Sequence, residues 1–258
     1  MTGCCSRCLR ALAALVLLSG SGVGPASAQQ EPIYPVYDGF HVTEEGLHVL
    51  AFAYFSHNFE PVTIPVGPHN GFGTEPGDRQ QPTVFLPGHH RFQCVMVMGP
   101  DFDGGLRWTV DHAGVSTSTS ADMLQYNWEL EEGSVSSVLR DVEPAGAPQG
   151  VCLNRSPTVG FLGLRNGPEG APAEETAAVG KDLKLFGSVR DEGLPRTRTL
   201  VTTWRMLDGP GTVTFSAPDE PRTLASFDVP GLYELELWAS DGEREGRNRV
   251  AVTVSPGP

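Results

Sequence analysis

Between Gly231 and Val254 the chain alternates so regularly that one local structure fits it. Tyr233, Leu235, Leu237 and Ala239 are interleaved with mostly polar neighbours, Asp241-Gly242 reverses the direction, and Val250, Val252 and Val254 resume the alternation. Successive side chains of a strand point to opposite faces, so a period of two around an Asp-Gly pair predicts a half-buried antiparallel β-hairpin. The pattern fixes a module and carries no activity.

The same period extends upstream to Asp182. Leu183, Leu185, Gly187 and Val189 face one way, as do Leu200, Thr202, Trp204 and Met206, then Val213 and Phe215, then Thr223, Ala225 and Phe227. Turn residues separate the runs at 191–195, at Asp208-Gly209-Pro210-Gly211, at 218–221 and at Pro230-Gly231. With one more strand before Asp182, this makes about seven strands in about 100 residues, the spacing of an immunoglobulin-like sandwich. Trp204 stands where such folds bury a tryptophan on the third strand, and Tyr233 where they place a corner tyrosine before the sixth.

From Glu31 to about Leu130, short apolar runs are broken by Gly, Pro, Asn and Asp, which predicts a second antiparallel sandwich or barrel without a long amphipathic helix. Expected strands are 36–42, 46–56, 62–66, 83–86, 91–98, 106–112 and 125–130. The second is apolar on both alternating faces, which marks a central strand covered on each side. Residues 67–81 form a loop longer than a hairpin needs, of the kind that is functional or simply mobile. The Ser/Thr run 116–120 reads equally as a polar edge strand or a loop. Pro, Gly and Ala dominate 143–148 and recur at 167–176, which is linker chemistry. The expected organisation is therefore all-β: a leader at 1–28, a β-sandwich module at 29–140, a linker at 141–153 and an immunoglobulin-like module at 154–258.

The leader is read from Arg7 and Arg10 ahead of the apolar run 11–18, closed by Ala26-Ser27-Ala28, a signal-peptidase pattern. The run falls short of the roughly 20 residues that span a bilayer. The expectation is a secreted protein, periplasmic or at the cell surface, with no membrane insertion after cleavage. Cys4, Cys5 and Cys8 leave with the leader, and Cys94 and Cys152 remain, either as one disulfide or as two buried thiols. Without Arg7 and Arg10, 16 basic residues face 31 acidic ones, a net charge of −15. Such a surface repels phosphate backbones and anionic lipids, which argues against nucleic acid as a partner.

In its second half the chain resembles the PKD-type, cadherin-like immunoglobulin-fold modules of bacterial secreted proteins. The resemblance covers about 154–254 and rests on Asn154-Arg155-Ser156-Pro157, the run 189–195, Trp204 with Asp208-Gly209-Pro210-Gly211, the run 223–227, and Gly231-Leu232-Tyr233 through Asp241-Gly242. Where many PKD modules carry a Trp-Asp-Phe-Gly-Asp-Gly run, this chain has Trp204-Arg205-Met206-Leu207-Asp208-Gly209, a divergent form. The resemblance implies a module for adhesion, spacing or presentation. It assigns no cofactor and leaves the amino-terminal module unrecognised.

Three chemistries remain to be placed. In an immunoglobulin-like connectivity Asp191, Glu192, Asp219, Glu220, Asp241 and Glu243 fall in connections at the end where the linker enters. Hard oxygen ligands gathered there suit calcium, which stiffens the joints of the cadherins this module resembles; the competing reading is six solvated turn residues. All seven histidines lie in the first module, without metal-ligand spacing. Phe59 and Phe72, beside His57 and His69, are the rings least accounted for by a core and mark the expected ligand site. No Gly-x-Ser-x-Gly elbow or phosphate-cradling glycine motif is present. The expected function is non-catalytic adhesion, binding or structure with a polysaccharide or protein partner; the alternatives are a secreted hydrolase with its site in the first module, or a carbohydrate-binding module.

Overall fold

A computed structural model describes residues 30–122, 124, 128–164 and 171–257. The leader expected at 1–28 lies outside them. The protein is all-β, with two modules each built on its own apolar core. No helix among the described residues is long and apolar enough to cross a membrane.

In the first module β1 (Ile33–Val42), β2 (His48–Ser56) and β6 (Gly88–Met98) form one antiparallel sheet with β2 in the middle. A second sheet joins β4 (Asn70–Phe72), β7 (Arg107–His112) and β8 (Val115–Ser120), and β3 (Val62–Thr63) pairs with β5 (Val84–Phe85). Leu50, Phe52 and Tyr54 on one face of β2 pack with Phe72, Phe85 and Trp108 between the sheets. On its other face Val49 and Ala51 lie under Leu130, Leu153 and Val138 of the short helix α1 (Glu132–Val138). The two-sided burial expected of β2 is thus met, with a helix as one of the covers.

The Ser/Thr run is an edge strand, β8, paired along its length with β7. Residues 125–127 of the last expected strand fall outside the described residues. The described remainder is not a strand: Glu129 makes an isolated bridge to Phe40, and Leu130 turns inward under β2. Residues 67–81 are anchored at Asn70, Phe72, Arg79 and Gln81, which are buried, while 73–76 are exposed. Asn70, fully buried, donates to the carbonyls of Ile64 (3.0 Å) and Pro82 (2.7 Å) and accepts from Trp108 Nε1 (2.9 Å). Buried polar groups with complete partners rigidify a loop, because each lost bond would leave an unsatisfied group.

The second module is an eight-stranded sandwich. One sheet orders β10 (Ala173–Ala178), β16 (Glu245–Ser255), β15 (Gly231–Ser240) and β12 (Val201–Asp208); the other orders β13 (Val213–Phe215), β14 (Arg222–Phe227), β11 (Leu183–Arg190) and β9 (Thr158–Phe161). The opening hairpin is β15–β16, and β10 runs parallel to β16. The strand count exceeds the expected seven because the first strand is divided, β9 joining one sheet and β10 the other. Trp204 is buried between Phe161 and Phe215, with Nε1 donating to Pro221 O at 3.1 Å. Tyr233 donates from Oη to Val229 O, four residues upstream, at 2.7 Å, which is the corner bond of immunoglobulin-like folds. Gly209, at φ +157°, lies flat on the Tyr233 ring, where a Cβ would collide with it.

Candidate functional site

The segment expected as a linker is packed onto the first module. Gly150 N and Leu153 N donate to Val97 O and Val95 O on β6 (2.8 Å each), Cys152 N donates to Arg79 O (2.6 Å), and Cys152 is disulfide-bonded to Cys94. A Pro/Gly/Ala-rich composition permits a linker but does not exclude a strap held by backbone bonds. This strap delivers Asn154 and Arg155 directly to the second module.

There the β11–β12 connection forms an arm. Arg155 N donates to Glu192 Oε1 at 2.5 Å, and its guanidinium lies 3.5 Å from Glu192 Oε2 and donates to Phe92 O across the joint. Both side chains of this ion pair are buried, 6% and 3% exposed. Leu194, two residues along the arm, is buried in the first module's core. Arg196 donates to both Asp78 carboxylate oxygens (3.0 and 2.9 Å) and to Gln81 O (2.9 Å). From the other side, Arg140 donates to Ser156 O (2.8 Å) and Arg244 to Asp141 O (2.9 Å). The modules are therefore joined by apolar insertion and by charge-assisted bonds.

The six expected carboxylates divide at this joint. Asp191 and Asp241 are near enough that the Asp241 charge raises the Asp191 pKa. Asp191 Oδ1 accepts from Gly193 N (2.7 Å), and Asp241 Oδ1 accepts from Glu243 N and Arg244 N (2.7 Å each). Their Oδ2 atoms, with Asn154 Oδ1, are buried without a hydrogen-bond partner among the described residues. Glu243 is tied to this group because Asn154 Nδ2 donates to it at 3.3 Å. Glu192 faces Arg155 instead. Asp219 and Glu220 sit exposed on the β13–β14 turn, with Asp219 bonded to Thr202 and Thr203. The expected gathering of all six is corrected accordingly: among the described residues no three His, Cys, Asp or Glu side chains form a metal-ligand group.

Burial pushes the Asp191 carboxyl up to about 6, helped by Asp241 and opposed by Arg155 and Arg140. Burial likewise raises Glu192 to about 7, with Arg155 pulling it down and Asp191 pushing it up. The folded state thus holds protons that the unfolded chain releases, so the stability these groups contribute is greatest below their unfolded pKa values and declines as pH rises through 6 and 7. Asp78, held low by Arg196, works in the opposite sense at acid pH. In chelator, thermal melts should show higher stability at about pH 5 than at about pH 8; a midpoint that rises steadily over that interval would contradict the assignment.

In the first module the expected ligand site does not assemble. Phe72 is buried and stacks on Trp108 at 6.0 Å, so it is a core residue, its burial hidden at the sequence level by its place in a Gly/Pro-rich loop. Phe59 is 90% exposed. His69 pairs with Asp111 at 3.4 Å, while His57 packs its edge against Phe55 (4.6 Å) and Tyr34 (5.6 Å). Sequence reasoning missed the group around His57. Tyr34, Phe55 and His89 are register partners across β1, β2 and β6, and strand pairing places them on one face. The alternation of β2 assigned Phe55 to that face, but the partners on β1 and β6 depended on register.

No protein-family model matches the chain. Among solved structures it is similar to the PKD domain of human KIAA0319, at 18% identity over 44% of this chain and 96% of that one, TM-score 0.30. It is also similar to a titin fragment, A168169, at 12% identity over 86% of this chain and 98% of that one, TM-score 0.29. An endo-fucoidan hydrolase of glycoside hydrolase family 107 aligns at 11% identity over 88% of this chain and 30% of that one, TM-score 0.27. The fold itself rests on strand order, the buried Trp204 and the Tyr233 corner. The second module is an immunoglobulin-like sandwich.

Proposed function

We infer that the chain is a secreted, non-catalytic binding or adhesion protein of the periplasm or cell surface. Its PKD-like module is a rigid bracket for the amino-terminal module, which makes the contact with a surface polysaccharide or protein. The observation that supports this is the joint: a spacer needs only a tether, whereas here Leu194, the Arg155–Glu192 pair and the Arg196–Asp78 fork fix one module on the other. Co-sedimentation of the mature chain with insoluble envelope polysaccharides tests the reading, with retention expected. Release of new reducing ends from those polymers would overturn it in favour of a hydrolase. The hydrolase is the second reading because Asp191 and Glu192, both with raised pKa values, line a cleft at the joint.

Calcium at the joint belongs to the same proposal, with a reduced ligand set. Asp191, Asp241 and Asn154 offer three buried oxygens without partners, and Glu243 stands beside them. A hard cation would satisfy them together, with water or backbone oxygens completing the six to eight ligands calcium takes. Saturating calcium at about 100-fold over its Kd would stabilise the chain by about 2.7 kcal/mol, raising the melting temperature by about 5–10 °C. Asp241→Asn should remove that rise. An unchanged midpoint at millimolar calcium would eliminate the site.

A further inference from the structure

We propose that the groove running from the Tyr34–Phe55–His89 strip into the cleft at the module joint binds an acidic polysaccharide, its rings carrying sugar faces and its arginines the carboxylate or sulfate groups. The proposal rests on the reading of the first module as a polymer-binding unit and names the class of polymer.

The strip comes from sheet register. Tyr34 is opposite Phe55, and Phe55 opposite His89, so the three rings cross three adjacent strands on one face. This is the face that α1 covers farther along β2, at Val49 and Ala51, and it is left open at this end of the sheet. Tyr34 is 40% exposed, and the ring of Phe55 lies 6.2 Å from that of His89. His57 packs against both Tyr34 and Phe55 (5.6 and 4.6 Å), so the strip is a cluster of partly exposed rings, and such a cluster suits stacking on the apolar faces of sugars.

His89 also lines the cleft, which makes strip and cleft one surface. The cleft, of about 380 Å³, brings Arg91, Arg140, Arg155 and Arg190 together with Asp191 and Glu192. Arg91 is paired with Asp38 at 3.2 Å, so four guanidiniums face three carboxylates and the balance is positive by one, in a chain whose formal net charge is −13. Glu192 is already matched by Arg155. Arg190 forms no ion pair among the described residues. The Nε atoms of Arg140 and Arg155 are buried there without acceptors, and Arg155 as a whole is only 5% exposed. Those two guanidiniums hold the wall of the cleft, their Nη2 groups bonded to Ser156 O and Phe92 O, and it is the exposed Arg190 that presents a free fork, for which an anionic oxygen is the suited acceptor. An acidic peptide would use the arginines but leave the ring strip without a role. A neutral glycan would use the strip but not the charges.

The test is affinity electrophoresis or calorimetry of the mature chain against polygalacturonate and dextran sulfate, with dextran as the neutral control. Binding to one or both anionic polymers is expected, weakening as salt is raised. Arg190→Glu and Tyr34→Ala alter exposed side chains and should each weaken it about tenfold or more, the first reducing the preference for the anionic polymers over dextran and the second reducing binding to every polymer. Polygalacturonate against dextran sulfate separates carboxylate from sulfate as the recognised group. Binding to dextran but to neither anionic polymer would overturn the acidic class and leave the polymer-binding reading standing. Binding to none of the three, or preference for polyglutamate, would overturn both. Anionic binding unchanged by either substitution would place the site elsewhere and overturn the proposal.

Discussion

Arg155→Met is expected to destabilise the protein by about 3–5 kcal/mol, because it leaves Glu192 buried without its counter-charge. At about 2–4 °C per kcal/mol, the melting midpoint should fall by roughly 6–20 °C. The size of the loss should depend on pH, and that dependence identifies the mechanism. Glu192 already titrates at about 7 with the guanidinium beside it. Without the guanidinium its pKa moves higher still, so the variant relieves the penalty by protonation at low pH and carries it in full at high pH. The loss should therefore be larger at about pH 8 than at about pH 5. Arg155→Met combined with Glu192→Leu should recover much of the stability, since apolar residues of similar volume commonly replace a buried pair without net cost. A single variant that melts like the parent at both pH values would mean that the pair does not hold the joint.

How much of this was legible in the sequence depends on the range of the interaction. The second module was readable because its signals are local: strand period, Asp-Gly turns, and Trp204 and Tyr233 at fixed places along the strands. β2 was readable as two-sided, but its second cover was not. Residues 132–138 carry one buried residue, Val138, too weak a period to announce a helix. The joint was half legible: residues 191–195 read as a turn, and they open the β11–β12 connection, whose backbone turn lies at 195–198, but its use as an arm placing Leu194 in another module's core depends on contacts far apart in sequence. The ring strip and the arginine cleft were hidden for the same reason. Positions 34, 55 and 89, or 91, 140, 155 and 190, acquire meaning only through strand register and the docking of two modules. Phe72 misled in the opposite direction, because a Gly/Pro-rich loop suggested exposure while Asn70, Arg79 and Gln81 were fastening it inward.

The second large effect is expected from Cys94→Ala with Cys152→Ala. The bridge closes a loop with a sequence separation of 58, and the chain-entropy cost of leaving such a loop open in the unfolded state corresponds to about 4 kcal/mol. The variant should still fold, because the strap keeps the backbone bonds of Gly150, Cys152 and Leu153, and its midpoint should fall by roughly 8–16 °C. Reductant should have the same effect on the parent and none on the variant. The bridge ends three residues before Arg155, so it also anchors the strap that presents Arg155 to Glu192. Losses from the cysteine pair and from Arg155→Met should accordingly not add: once the joint is released, freeing the strap has less left to undo. Strict additivity in the combined variant would mean that strap and joint are independent, and the second module would then be tethered to the first and not braced by it.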